Sequence, residues 1–419
     1  MLRWWGFPAD RTSAMPASFD RRAFLRHATR AGAMVVTAGG LAGSIGPRVA
    51  QATGPAAPAG DSPYGALQPA NSDGLMLPPG FTSRLIAVSG QQVAATGYVW
   101  HEQPDGAACM GRSNGGWYLV SNCEASGGLG GASVIRFNAQ AEITGAYRIL
   151  AGTSRSCSGG ATPWGTYLSG EENDAGRVFE CDPSTPGQGI HRPALGLFDH
   201  EMSVVDPLTG WVYMVEDDPK GRLYRFQPTR WGDLSAGALQ VARVSRSANG
   251  DVLKWQAASP DGPDRTTTST VFAGGEGMWI ERGQMYFTTK TDVKVWRLEL
   301  ASQRLSIHYD FRATPSAPLN AVDNLTGHSR SGDLFVAEDG GNLEVCILPT
   351  SGPVAASVFL RFVGHDASEV TGVAFNPAGT RFYVTSQRGT DGVGRTYEVM
   401  GPFRRRLRTQ PPDPRPPRR

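Results

Sequence analysis

The 419-residue chain has a formal charge of only +2, but the charge is unevenly placed. Residues 1–52 hold seven arginines against Asp10 and Asp20 (+5), and residues 404–419 hold seven against Asp413 (+6), which leaves about −9 for the body between them. An acidic body with basic ends excludes a nucleic-acid-binding fold, which needs a folded basic surface for phosphate contacts, and makes cations the better partners. Gly 53 and Pro 30 mark frequent turns, and the apolar residues fall in short runs rather than helical stripes. That pattern predicts an all-β body.

In chain order the first feature is a targeting segment. Asp20-Arg21-Arg22-Ala23-Phe24-Leu25-Arg26 is a twin-arginine motif; a mildly apolar stretch from Ala31 to Ile45 follows, and then Ala50-Gln51-Ala52, an A-x-A-like cleavage site. This predicts a signal peptide over residues 1–52 and a linker over 53–72, with the Tat translocase as a transient partner and a periplasmic or secreted destination. The apolar stretch is too short and too Gly-rich to span a bilayer permanently, so no stable membrane span is expected. Cysteines at 109, 123, 157, 181 and 346 are odd in number and lack CxxC spacing, which argues against a structural zinc site and leaves at least one thiol unpaired.

From about residue 73 the chain repeats. Aromatic-led apolar strands are centred on Tyr118, Tyr167, Tyr213, Tyr286, Phe335 and Tyr383, spaced 49, 46, 73, 49 and 48 residues apart. Each is followed at near-constant distance by a second alternating strand, such as Ser133-Val134-Ile135-Arg136-Phe137 or Arg395-Thr396-Tyr397-Glu398-Val399. Alternation of period two is that of strands with one face on a core. Six units of this length predict a six-bladed β-propeller over residues 73–403. The basic, Pro-rich segment 404–419 has too few apolar residues to fold and is expected to be disordered.

Ten to fourteen residues before each aromatic landmark another strand begins, and its opening residue can ligate a metal in every copy: Asp105, Cys157, Glu201, Glu276, Asp323 and Glu369. In a propeller the innermost strands line the channel, so these side chains form a ring at one mouth. The next strand returns antiparallel and ends at the same face, bringing Glu124, Glu172, Glu216, Lys290, Glu338 and Arg388. So many carboxylates with a thiolate cannot all ionise at close range without compensating positive charge. Oxygen-rich groups suit Ca²⁺ or Mg²⁺, and a thiolate among them points to a transition metal such as iron. The histidines form no HxH or HExxH arrangement, and no GxSxG elbow, Walker loop or Rossmann fingerprint is present.

Several motifs together carry a resemblance: Cys157-Ser158-Gly159-Gly160-Ala161-Thr162-Pro163-Trp164-Gly165-Thr166, Gly170-Glu171-Glu172, Gly274-Gly275-Glu276-Gly277, Ala337-Glu338-Asp339-Gly340-Gly341-Asn342 and Ser386-Gln387-Arg388-Gly389. Over residues 73–403 the chain resembles the short-form PhoX-type alkaline phosphatases. The resemblance implies a Tat-exported phosphomonoesterase acting on small phosphate esters, with two Fe³⁺ and two or three Ca²⁺ ions. By motif, Cys157 becomes the iron thiolate ligand. Glu201, Glu276, Asp323 and Glu369, or their second-ring partners Glu172, Glu216 and Glu338, become the remaining metal ligands, and Lys290 and Arg388 the phosphate contacts. One position departs: longer members carry an arginine where this chain has Gly274, and Arg388 is the candidate substitute. A Ca²⁺-dependent lactonase using Asn324 and Asn342, and a non-catalytic binding propeller, are the alternatives; a monomer is expected.

Overall fold

The computed structural model describes residues 61–187 and 189–406. The twin-arginine segment, the cleavage site, the first part of the linker (residues 53–60) and residues 407–419 lie outside the described residues. The body is all-β: twenty-six strands and, among the described residues, two three-residue 3₁₀ helices, Pro193–Leu195 and Phe311–Ala313. Every aromatic-led segment predicted from the repeat is a strand, from Trp117–Cys123 to Arg381–Ser386.

The strands form five antiparallel sheets in a propeller-like arrangement. Three are four-stranded, one has five strands, and one has nine. The nine-stranded sheet arises from the long spacing between Tyr213 and Tyr286. There the fourth strand, Asp233–Ser245, runs to thirteen residues and the chain adds a fifth, Asp251–Ala257. Asp251 and Val252 then pair with Leu305 and Arg304 at the edge of the next meander, fusing the two. The circuit closes on itself: Thr82–Val88 pairs with Arg395–Met400, so chain segments more than 300 residues apart share one sheet. This covers an edge that would otherwise be exposed.

Six apolar clusters hold the body together, five between neighbouring sheets and one between the two halves of the nine-stranded sheet. The period of two assigns each side chain its cluster. In Val212–Glu216, Val212 and Met214 face one cluster with Leu168 and Phe226, while Tyr213 and Val215 face another with Met285, Phe287 and Trp296. Both faces of this strand are therefore buried, at roughly 1.5–3 kcal/mol per large side chain. The first strands of successive units, from Pro104–Gly111 through Ser156–Ala161, His200–Val205, Gly275–Glu281 and Leu325–His328 to Val370–Phe375 and back to Pro104–Gly111, pack on one another around a closed circuit.

The start of the basic tail departs from the disorder expected for residues 404–419. Arg404 forks onto Asp333, with Nε 2.7 Å from Oδ2, and Arg406 donates from Nε to the Ser331 carbonyl at 3.0 Å. Specific polar partners, which a composition argument ignores, hold these residues in place.

Candidate metal centre

The innermost strands bring their first residues to one mouth by a shared backbone device. Register breaks between Pro104 and Ala107, Ser156 and Gly159, His200 and Ser203, and Gly275 and Met278. A bulge at such a place re-aims one side chain out of the sheet's alternation. The re-aimed residues are Asp105, Cys157, Glu201 and Glu276. The strands also approach very closely here: a Cβ on Gly277 would collide with the backbone of Asn324 and Leu325, and one on Gly160 with the Ser203 carbonyl. Glycine is therefore required beside the ligand positions.

The pairing also fixes which returning residues join them. Cys123 lies opposite Pro104, Glu171 opposite Ser156, Glu216 opposite His200 and Thr289 opposite Gly275. The next residue in each case turns to the mouth: Glu124, Glu172, Asp217 and Lys290. Glu216 and Glu338, expected as ligands, are accordingly one residue out of phase, and a shift of one reverses the side chain. Glu216 accepts from the Arg222 backbone N–H at 3.1 Å and pairs with Arg265 at 2.5 Å. Glu338 accepts from the backbone N–H groups of Asn320 at 2.9 Å and Glu344 at 3.0 Å. Both brace loops, and their neighbours Asp217 and Asp339 take the mouth positions.

Four groups of three side chains each place a ligand atom from every member within 4.8 Å of the others: Glu124, Cys157 and Glu172; Asp105, Glu124 and Glu369; Glu201, Glu276 and Asp323; and Asp323, Asp339 and Glu369. All except Asp339 are buried. The groups are contiguous, since Glu124, Asp323 and Glu369 each belong to two, and the Cys157 thiol lies 3.5 Å from Asp105 Oδ2 and 3.4 Å from Glu201 Oε1.

Three cations face this cluster. Lys290 Nζ sits 2.5 Å from Glu276 and 2.7 Å from Asp217. Arg388 is 3.0 Å from Glu369, and Arg155, absent from the sequence expectations, is 2.5 Å from Glu172. Gln387, also missed, donates to Glu124 at 3.0 Å and to Asp105. Gly274 makes room for the lysine: a Cβ there would lie 2.8 Å from Lys290 Cγ, on a backbone with φ +64°. A side chain at 274 and Lys290 in its present position are thus mutually exclusive.

Burial, reinforced by neighbouring carboxylates, pushes Asp105, Glu172, Glu201 and Glu369 well above the ordinary carboxylate range. Glu276 is raised by burial in spite of Lys290, and Asp323 reaches about 7. Burial and the same carboxylates raise the Cys157 thiol. Lys290 is itself opposed by burial, but Glu276 and Asp217 hold its proton. Nine carboxylates against three cations leave an excess that multivalent ions can neutralise. Glu201 Oε2 is buried with no hydrogen-bond partner, which is costly unless a cation meets it. The mixed oxygen and sulfur donor set therefore fits bound metal ions.

The residues offered for a lactonase have neighbouring protein groups as partners. Asn324 donates to Asp323 at 2.9 Å and accepts from the Gly372 N–H at 3.0 Å, while Asn342 accepts from Asn320 at 3.2 Å.

Comparison with known proteins bears on the same site. No curated protein sequence matches the chain. Among solved structures, PhoX from Pseudomonas fluorescens in complex with vanadate, a transition state analogue, superposes with a TM-score of 0.64 at 16% identity, covering 82% of this chain and 98% of that one. The PQQ domain of pyranose dehydrogenase from Coprinopsis cinerea gives 0.47 at 11% identity, over 79% and 98% of the two chains. The family model described as alkaline phosphatase PhoX matches residues 112–177 and 173–306, a span holding Glu124, Cys157, Glu172, Glu201, Glu276 and Lys290. The sequence match, over somewhat less than half of the chain, and the fold agree in likening this protein to the PhoX alkaline phosphatase family.

Proposed function

We propose that this protein is a metal-dependent alkaline phosphatase that hydrolyses small phosphate monoesters at the acidic mouth. The observation that carries the reading is the set of contiguous, buried acidic groups with Lys290 and Arg388 directly upon them, in a chain similar to this family. We also read the nine-stranded sheet as two blades joined at their outer edges, giving a six-bladed propeller with one mouth residue from each first strand. In support, the fusion involves only Asp251–Leu305 and Val252–Arg304, at the outer strands.

Cys157 with Glu124 and Glu172 would hold an iron ion, since thiolate favours a transition metal. The all-oxygen groups around Asp105, Glu369, Glu201, Glu276, Asp323 and Asp339 would hold the second Fe³⁺ and two or three Ca²⁺ ions. Bound there, such ions supply the charge neutralisation that phosphoryl transfer requires. The chain's own part is positional. Lys290 and Arg388 stand at the mouth as hydrogen-bond donors to the phosphate oxygens, and Arg155 adds a third. Asp217 and Glu276 hold Lys290 charged and fix its reach. The near-complete burial of the carboxylates limits water and strengthens every electrostatic contact.

The twin-arginine segment supports export through the Tat pathway to the periplasm or beyond, and we expect a monomer. Among the described residues no helix is long and apolar enough to cross a membrane.

The test is hydrolysis of p-nitrophenyl phosphate by the full chain, before and after treatment with a chelator. Turnover that disappears with the metals and returns on their replacement is expected; absence of turnover by metal-loaded protein contradicts the reading.

A further inference from the structure

A cavity of about 810 Å³ lies at the opposite end of the molecule from the acidic mouth. Strand direction establishes this. Gln284–Thr289 starts on the cavity at Gln284 and Tyr286 and delivers Lys290 to the mouth, and Asp333–Ala337 starts at Asp333 and leads to Asp339. At about 3.3 Å per residue, roughly 15–20 Å separates the two places.

The cavity is basic on an otherwise acidic body. Five arginines (Arg282, Arg297 and Arg404 to Arg406) stand in its wall against Glu281 and Asp333. Two of them are structurally committed. Arg404 forks onto Asp333, and Arg406 binds the Ser331 carbonyl at 3.0 Å and Thr350 Oγ1 at 2.7 Å. Together they strap the C-terminal segment along one side of the cavity. Arg405, between them, is exposed, and Arg297 places Nε on Gln284 Oε1 at 2.8 Å. Among the described residues neither Arg405 nor Arg297 has a carboxylate partner. Guanidinium groups without such partners are the donors that oxyanions select, because their fork matches two oxygens at once. The volume is that of a small-molecule site rather than of a single oxyanion.

We propose that this cavity is a second ligand site, distinct from the metal centre, which takes a multivalent anion with phosphate- or sulfate-type groups between Arg297 and Arg405.

The experiment is isothermal titration of inositol hexasulfate, a polyanion that is not a phosphate ester, into the full metal-loaded chain. One site is expected, weakened about tenfold or more in Arg297→Gln/Arg405→Gln, as loss of charge-assisted hydrogen bonds dictates. Hydrolysis of p-nitrophenyl phosphate by the same variant stays unchanged. Arg405→Gln alone, at an exposed position, gives a smaller weakening without disturbing the fold. Sedimentation with phosphatidylglycerol vesicles distinguishes the source of the anion. Pelleting lost in the double variant indicates a lipid headgroup, and titration without pelleting indicates a free polyanion. Equal affinity in wild type and double variant overturns the proposal. So does anion binding that survives both substitutions and vanishes when the chain ends at Arg406, which assigns it to the tail.

Discussion

Removing the metal ions should make the stability of this protein fall as pH rises. Asp323 sets the scale: burial and Asp339 lift its carboxyl from 3.8 to about 7. A carboxyl raised in the folded state keeps a proton that the unfolded chain has already released. Its contribution is therefore fully present below pH ~4, declines as pH rises, and levels off above ~7. About three pH units at 1.36 kcal/mol each amount to about 4 kcal/mol lost between pH 4 and 8 from this residue alone. Glu201, Glu276 and Glu369 act in the same direction. For a body of this size 4 kcal/mol corresponds to roughly 5 °C in Tm. Bound cations replace those protons, so metal-loaded protein should show the reverse, a stabilisation by metal that grows with pH. Thermal melts of chelated and reconstituted protein across pH 5–8 make the comparison. A chelated protein whose Tm is flat, or rises, over that range would refute the reasoning, because its carboxylates would then be ionising without any counter-ion.

Four substitutions probe separate links in the account. Glu216→Gln should destabilise the fold by about 2–3 kcal/mol by weakening the bonds of a buried carboxylate to Arg265 and to the Arg222 backbone N–H, leaving bound metal unchanged by elemental analysis, whereas Asp217→Asn should loosen Lys290 and lower kcat/KM for p-nitrophenyl phosphate about tenfold at little cost in stability. Gly274→Ala should displace Lys290 and strain a left-handed backbone, costing about 1–2 kcal/mol in chemical denaturation together with activity. Met214→Ala, in the core between two sheets, should cost about 2–5 kcal/mol with no change in metal content.

The repeat was legible because strand alternation follows from the backbone. Tyr213 and Met214 face different clusters simply by being adjacent, and that pattern survives in any sequence with both faces buried. The first ring was legible for a related reason: Asp105, Cys157, Glu201, Glu276, Asp323 and Glu369 each lie within two residues of the start of an inner strand. The second ring was only half legible. Where strands end in two adjacent acids, as at Glu216-Asp217 and Glu338-Asp339, composition offers both, and only the strand register decides between them, set opposite His200 in the first case and opposite Leu325 in the second. The doublet Glu171-Glu172 carries the same ambiguity; there Glu171 pairs with Arg177 and Glu172 turns to the mouth. Arg155 was hidden because it precedes its strand, in a left-handed turn at φ 55°. The fusion of two meanders was equally invisible, since it depends on where an inserted hairpin meets its neighbour's edge.

The most direct test of the metal-centred account is elemental analysis of the purified protein together with its Cys157→Ala variant. The account predicts stoichiometric iron with calcium in the wild type, and loss of iron and of p-nitrophenyl phosphate hydrolysis together in the variant. Wild-type protein that carries no metal yet hydrolyses the ester, or a variant that keeps both iron and activity, would contradict it.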